Sequence, residues 1–188
     1  MNKELIAEAF ENIIKAIGED SKRDGLQKTP QRFAELYAEL FSGIGQDPKE
    51  ALQGGFELGH RELIILKDIQ FFSMCEHHFL PFSGVVHIGY IPGKDGRVVG
   101  ISKLAEVVDI IAHRPQIQER MATEIANTLY ETLMCDSVGV VIEAEHMCIS
   151  MRGVKKLGAK VVTSSLRGRF RSDLASRNEF MSLVNINR

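Results

Sequence analysis

The chain has 188 residues, 44% hydrophobic and 26% charged, with a formal net charge of −2. That length suits one domain with a sizeable core and a small appendage, and the composition excludes a disordered or low-complexity chain. The near-neutral charge, with no membrane-length apolar run and no signal-peptide pattern, predicts a cytoplasmic protein with reduced thiols and no nucleic-acid or membrane partner.

Leu5, Ile6, Ala9, Phe10, Ile13, Ile14 and Ile17 recur at spacings of three and four and predict an amphipathic helix ended by Gly18. Thr29 and Pro30 read as N-cap and first-turn proline of a second helix, whose apolar face of Phe33, Leu36, Tyr37, Leu40 and Phe41 runs up to Gly43. Residues 1–60 thus read as a helical hairpin with a connecting segment, and 61–188 as the main domain. From Glu62 the period changes: Leu63 to Leu66 and Ile69 to Phe72 predict a buried strand, then the loop CEHH and a second strand around Gly84 to Ile91. GKDGR reads as a hairpin-like turn. Ser102 reads as the N-cap of a helix carrying Leu104, Val107, Val108 and Ile111, and Pro115 breaks it before another carrying Ile117, Met121, Ile125 and Leu129. Strands over residues 137–152 and 160–170 follow, and a short helix after Asp173 closes the chain. This β-β-α-α-β-β order predicts an α+β fold, an antiparallel sheet with two long helices on one face.

The segment SMCEHHFLPF, residues 73–82, holds a cysteine, a glutamate and two histidines in consecutive positions. Cys75 and His78 form a C-x-x-H pair, a spacing at which a turn brings sulfur and imidazole to one ion. In EHMCISMRG, strand parity would put His146, Cys148, Ser150 and Arg152 on one face and Met147, Ile149 and Met151 on the other. Cys148 can then complete a Cys2His set, the donor count of a catalytic zinc site with one position left for water; the same donors do not exclude iron. Buried cysteines and hydrogen-bonded histidines also occur as plain packing residues, and spacing alone leaves that reading open. His77 and His146, beside the ligands but outside the set, would remain as acid/base groups. Cys135 reads as a small core residue, and His60, His87 and His113 as surface or structural. Arg167, Arg169 and Arg171 would line one face of a strand, but with no interleaved aromatic beyond Phe170 and a negative net charge they do not make a nucleic-acid site.

SMCEHHFLPF, GISKLAE, RPQIQER and EAEHMCISMRGV, in this order and with DGLQKTPQRFAELY before and TSSLRGRF after, closely resemble GTP cyclohydrolase I, the zinc enzyme that opens folate and pterin biosynthesis. The resemblance covers nearly the whole chain. It implies conversion of GTP and water to 7,8-dihydroneopterin triphosphate and formate. It also implies the tunnelling fold, with subunit sheets joined into a barrel, two pentameric rings stacked into a homodecamer, and active sites at subunit boundaries. By the same resemblance Cys75, His78 and Cys148 are the zinc ligands, and His77 and His146 the catalytic proton-transfer histidines. Gln118 and Glu119 fall in the guanine-binding segment, and Ser102, Lys103 and Arg152 match triphosphate contacts. Arg32 in TPQR reads either as a contact to a neighbouring subunit's phosphate site or as a plain helix-surface residue. One position departs: the family reads S-K-x-x-R at its phosphate-binding helix, whereas SKLAE puts Glu106 there. A carboxylate repels a triphosphate, which predicts a raised KM and leaves a second reading open, an impaired or substrate-shifted homologue that binds zinc and nucleotide in a structural or regulatory role.

Overall fold

Asn2 starts the first helix, its side-chain oxygen accepting the Leu5 N–H at 2.9 Å to cap α1 (Lys3–Ala16). Gly18, at φ +86°, lies just past the end of this helix, as its position in the sequence predicts. In α2 (Thr29–Leu40) Thr29 is not the N-cap but the first helical residue; the chain is already turning, and its hydroxyl donates back to Gly25 O at 3.2 Å. Phe10 stacks on Phe33 with ring centroids 3.8 Å apart, while Leu5, Ile13 and Ile17 of the predicted apolar face stay exposed. The computed structural model describes residues 1–185; residues 1–42 form one unit and the chain from Gly43 a second.

The second unit runs through β1 (Phe56–Glu57), β2 (Ile64–Cys75), β3 (Pro81–Ile91), β4 (Arg97–Val98), α3 (Ile101–Ala112), β5 (Pro115–Gln116) and α4 (Gln118–Thr132). It continues with β6 (Ser137–His146), α5 (Met147–Ser150), β7 (Lys160–Gly168), α6 (Arg169–Ser172) and α7 (Leu174–Asn185). The main sheet has the order β5-β2-β3-β6-β7, antiparallel except where β5 lies parallel to β2. The long elements keep the predicted order, and the fold is α+β. The two apolar runs expected before the CEHH loop are one strand, interrupted by a register shift between Leu66 and Ile69 where Asp68 takes φ +58°.

Several element ends differ from the sequence reading. GKDGR does turn, with Gly96 at φ +62° and its N–H on Gly93 O at 2.9 Å, but β4 then pairs with β1 in a separate two-stranded ribbon. Gly100, not Ser102, holds the cap position of α3, and Ile117 flanks α4 instead of opening it. β6 stops at His146 because its partners stop: Phe82 is the last residue paired with it on β3, and Pro81 has no N–H to extend the ladder. The chain therefore winds into α5, closed by the Met151 N–H on Met147 O at 3.0 Å, and strand parity does not apply to residues 147–152. Likewise Gly168, at φ +62°, ends β7, so Arg169 and Arg171 lie on α6 and not on a strand with Arg167.

The main core lies between one sheet face and the two long helices: Val86, Ile88 and Tyr90 of β3 and Val140 and Ile142 of β6 pack with Leu104, Val107 and Ile111 of α3 and Met121, Ile125 and Leu129 of α4. Each fully buried aliphatic side chain stabilises by roughly 1.5–3 kcal/mol relative to exposure, so the ends of β2 and β6 are carried on a rigid layer. A smaller cluster of Ile91, Val141, Phe170, Phe180 and Val184 covers part of the other face. Gly89 and Gly139 are register partners there, and a Cβ on either would sit 2.6 Å from the Phe180 ring. These two glycines make the slot in which α7 docks.

Candidate metal centre and its surroundings

β2 ends at Cys75 and the chain turns at once. The Cys75 N–H donates to Leu80 O at 2.9 Å, the Phe79 N–H to Cys75 O at 2.8 Å, and Phe79 takes φ +51°. The His78 N–H also reaches Cys75 O, at 3.3 Å, so the turn sets the two side chains close together. Cys148 arrives from the helical turn after β6, and the ligand-capable atoms of Cys75, His78 and Cys148 all lie within 4.8 Å of one another. Cys75 is buried, Cys148 half-buried and His78 exposed, so the group opens to solvent on the histidine side. Two sulfurs and one imidazole on three separate backbone positions can hold a transition-metal ion and leave a coordination position open. Burial first, then the neighbouring Cys75 sulfur, push the Cys148 thiol up, and an ion that takes both sulfurs must displace their protons.

Arg152 sits against the group. Its Nη1 lies 2.7 Å from His78 Nε2 and donates to it. His146 stacks on Phe82, with centroids 4.5 Å apart and planes 4° from parallel, and its Nε2 lies 2.7 Å from Gln118 Oε1. Burial holds His146 below the usual imidazole range against the opposing pull of the Glu119 carboxylate, so it is neutral near pH 7. Gln118 is 1% exposed, whereas Glu119 beside it is exposed in the first turn of α4. His77 is exposed, its ring 6.3 Å from that of His78 and perpendicular to it.

Ser102 and Lys103 are not gathered in the same place as Arg152. Ser102 and Lys103 stand at the start of α3, about 15 Å along the helix from Ala112. Ala112 O accepts from the Ser73 hydroxyl at 2.7 Å, two residues before Cys75, so the metal-facing end of α3 is the opposite one. The Lys103 ammonium bonds both Glu106 carboxylate oxygens, at 2.9 and 3.0 Å. Arg32 lies exposed on α2 in the N-terminal unit.

Glu76 and Arg120, to which the sequence reading gave no role, form an ion pair that ties the Cys75–Leu80 turn to α4. Arg120 also donates to Pro115 O at 3.0 Å and, through Nε, to Gln116 Oε1 at 3.1 Å. The arginine draws the Glu76 carboxyl below its ordinary range. The available signal was position: Glu76 directly follows the candidate ligand Cys75, and Arg120 lies within RPQIQER. Arg120→Ala is expected to leave the fold intact and weaken metal binding about 10- to 100-fold, the usual cost of removing a group that orients a ligand-bearing segment. Competition titration against a chromophoric chelator measures it.

Fold and donor set together define an α+β protein with a candidate metal centre at the end of its sheet. The model of the family described as GTP cyclohydrolase I matches residues 6–185. A GTP cyclohydrolase 1 of Dehalococcoides mccartyi is 63% identical over 183 residues, covering 97% of each chain. One of Thermoanaerobacter pseudethanolicus is 54% identical over 185 residues, covering 98% of each. The solved apo form of an archaeosine synthase, QueF-like, overlays with a TM-score of 0.44 at 19% identity over 56% of this chain and 93% of that one, a likeness too slight to bear on the fold. The chain belongs to the GTP cyclohydrolase I family.

Proposed function

We propose that the protein hydrolyses and rearranges GTP to 7,8-dihydroneopterin triphosphate with release of formate, as the first step of folate and pterin biosynthesis. The observation that carries this reading is the convergence of Cys75, His78 and Cys148 within 4.8 Å, in a chain of this family. Cys2His fits zinc, which when bound supplies Lewis-acid activation of water near neutral pH. His146, neutral and partly buried, takes and returns a proton beside the purine, and exposed His77 serves a second transfer. Glu119 can accept from guanine N1–H and the 2-amino group, with Gln118 next to it at the helix start. Ser102, Lys103, Arg152 and Arg32 are the triphosphate contacts.

The roughly 15 Å between the start of α3 and its metal-facing end supports a site completed by a second copy of the chain, as in a tunnelling-fold decamer of two pentameric rings. Exposed Leu5, Ile13 and Ile17 are consistent with such an assembly. No helix among the described residues is long and apolar enough to cross a membrane, in keeping with a cytoplasmic enzyme. Incubation of the zinc-loaded protein with GTP tests the reading: formate and dihydroneopterin triphosphate should form in equal amounts. Zinc bound without either product would sink it.

Glu106 is expected to weaken substrate binding more than chemistry, because it holds Lys103 in an ion pair and carries the wrong sign for a phosphate. Glu106→Arg releases that lysine and adds a donor. Charge-assisted hydrogen bonds are worth about 1.5–3 kcal/mol, so KM for GTP should fall about tenfold or more while kcat changes little. An unchanged KM would remove Glu106 from the phosphate site.

A further inference from the structure

The buried carboxamide of Gln118 is fully engaged. Its Nε2 donates towards Ile142 O at 3.1 Å, Val161 O at 3.0 Å and Thr163 Oγ1 at 3.2 Å. Its Oε1 faces His146 Nε2 at 2.7 Å. The reverse orientation of the amide would press Oε1 against two carbonyl oxygens, which can only accept, so the surroundings fix which end meets the histidine. An amide oxygen also only accepts. A ring proton must therefore sit on His146 Nε2, so that any neutral form of the ring has its lone pair on Nδ1. Phe82, stacked flat on the ring, sets its plane.

We infer that Gln118 is a positioning residue that holds His146 as the Nε2–H tautomer, so that Nδ1 is the one atom able to take a proton from the reacting system. Thr163 and the carbonyls of Ile142 and Val161 in turn fix Gln118. This rests on the proposed role of His146 but differs from assigning the Gln118 side chain to the guanine base. At 1% exposure that side chain has no face to offer a ligand. The device spans three elements: β6 supplies the histidine, α4 the glutamine, and β7 the threonine that keeps the glutamine in place.

Solid-state 15N spectra of the metal-loaded, histidine-labelled protein read the tautomer directly, with His146→Asn to assign the signals. The expected spectrum has a protonated Nε2 and a bare Nδ1 at His146; a proton on Nδ1 overturns the inference whatever the activity. Gln118→Met removes the acceptor at similar volume and should give mixed tautomers and a kcat about 10- to 100-fold lower, with KM for GTP little changed. Thr163→Val, a milder change on β7, should shift both readouts in the same direction by less, and it serves if Gln118→Met does not fold. Wild-type tautomer and kcat in the folded variants would refute the positioning role. An Nε2–H tautomer in a protein that releases no formate from GTP would sink the proposed reaction and leave this inference standing, whereas formate release with the proton on Nδ1 would do the reverse.

Discussion

Cys75→Ala is expected to lose stoichiometric metal and formate release together, with little change in fold. Cys75 is the buried member of the donor set and ends the strand that carries the turn to His78. Without it an ion keeps two donors, one of them on an exposed side chain. Metal binding at closed sites of this chemistry is worth about 10–16 kcal/mol over four ligands, so loss of one donor should weaken affinity by roughly 100-fold or more. The fold should survive because the substitution removes a single sulfur from a large core cluster and leaves its other buried side chains in place. Metal analysis, circular dichroism and formate assay on the same preparation decide it, and retention of both metal and turnover would remove Cys75 from the centre.

The helices were legible because their signal is local. Leu104, Val107, Val108 and Ile111 repeat on one side of α3, and the structure buries all four. Strand cores were legible for the same reason, but strand ends were not. β6 stops at His146 because of Pro81 on another strand, and β7 stops because Gly168 passes within a Cβ's reach of Asp136 O. Both causes are pairings that a single segment does not encode. The apolar stripe of α1 shows the converse case: periodicity found the helix, yet Leu5, Ile13 and Ile17 are not buried in the chain.

The metal group was legible in two unequal parts. C-x-x-H is a turn spacing, and the turn forms as the spacing requires. Cys148 was reached by strand parity, and its segment is instead a helical turn. The residue arrives because β6 delivers it to the same end of the sheet, for which register with β3 is responsible. The supporting contacts were opaque. Glu76–Arg120 and Gln118–Thr163 join residues 44 and 45 positions apart, and a buried glutamine at a helix start looks, in sequence, like any polar helix residue. Gly89 and Gly139 were a usable signal, since glycines in the middle of apolar strands mark a close approach, here that of Phe180.

His146→Asn should separate the proton from the metal. Asparagine has no site that exchanges a proton near pH 7, and general acid–base catalysis by a positioned side chain contributes about 100- to 10,000-fold. The expected result is a fall in kcat within that range, with metal content unchanged and KM for GTP nearly so, because His146 is outside the Cys75/His78/Cys148 group. Rapid-quench measurement of formate in a single turnover checks it, since product release cannot then mask the chemical step. Full loss of metal in this variant would mean that the ring and its stack on Phe82 support the Cys148 turn and not the chemistry. Unchanged kcat would move proton transfer to His77, which lies exposed next to the His78 ring.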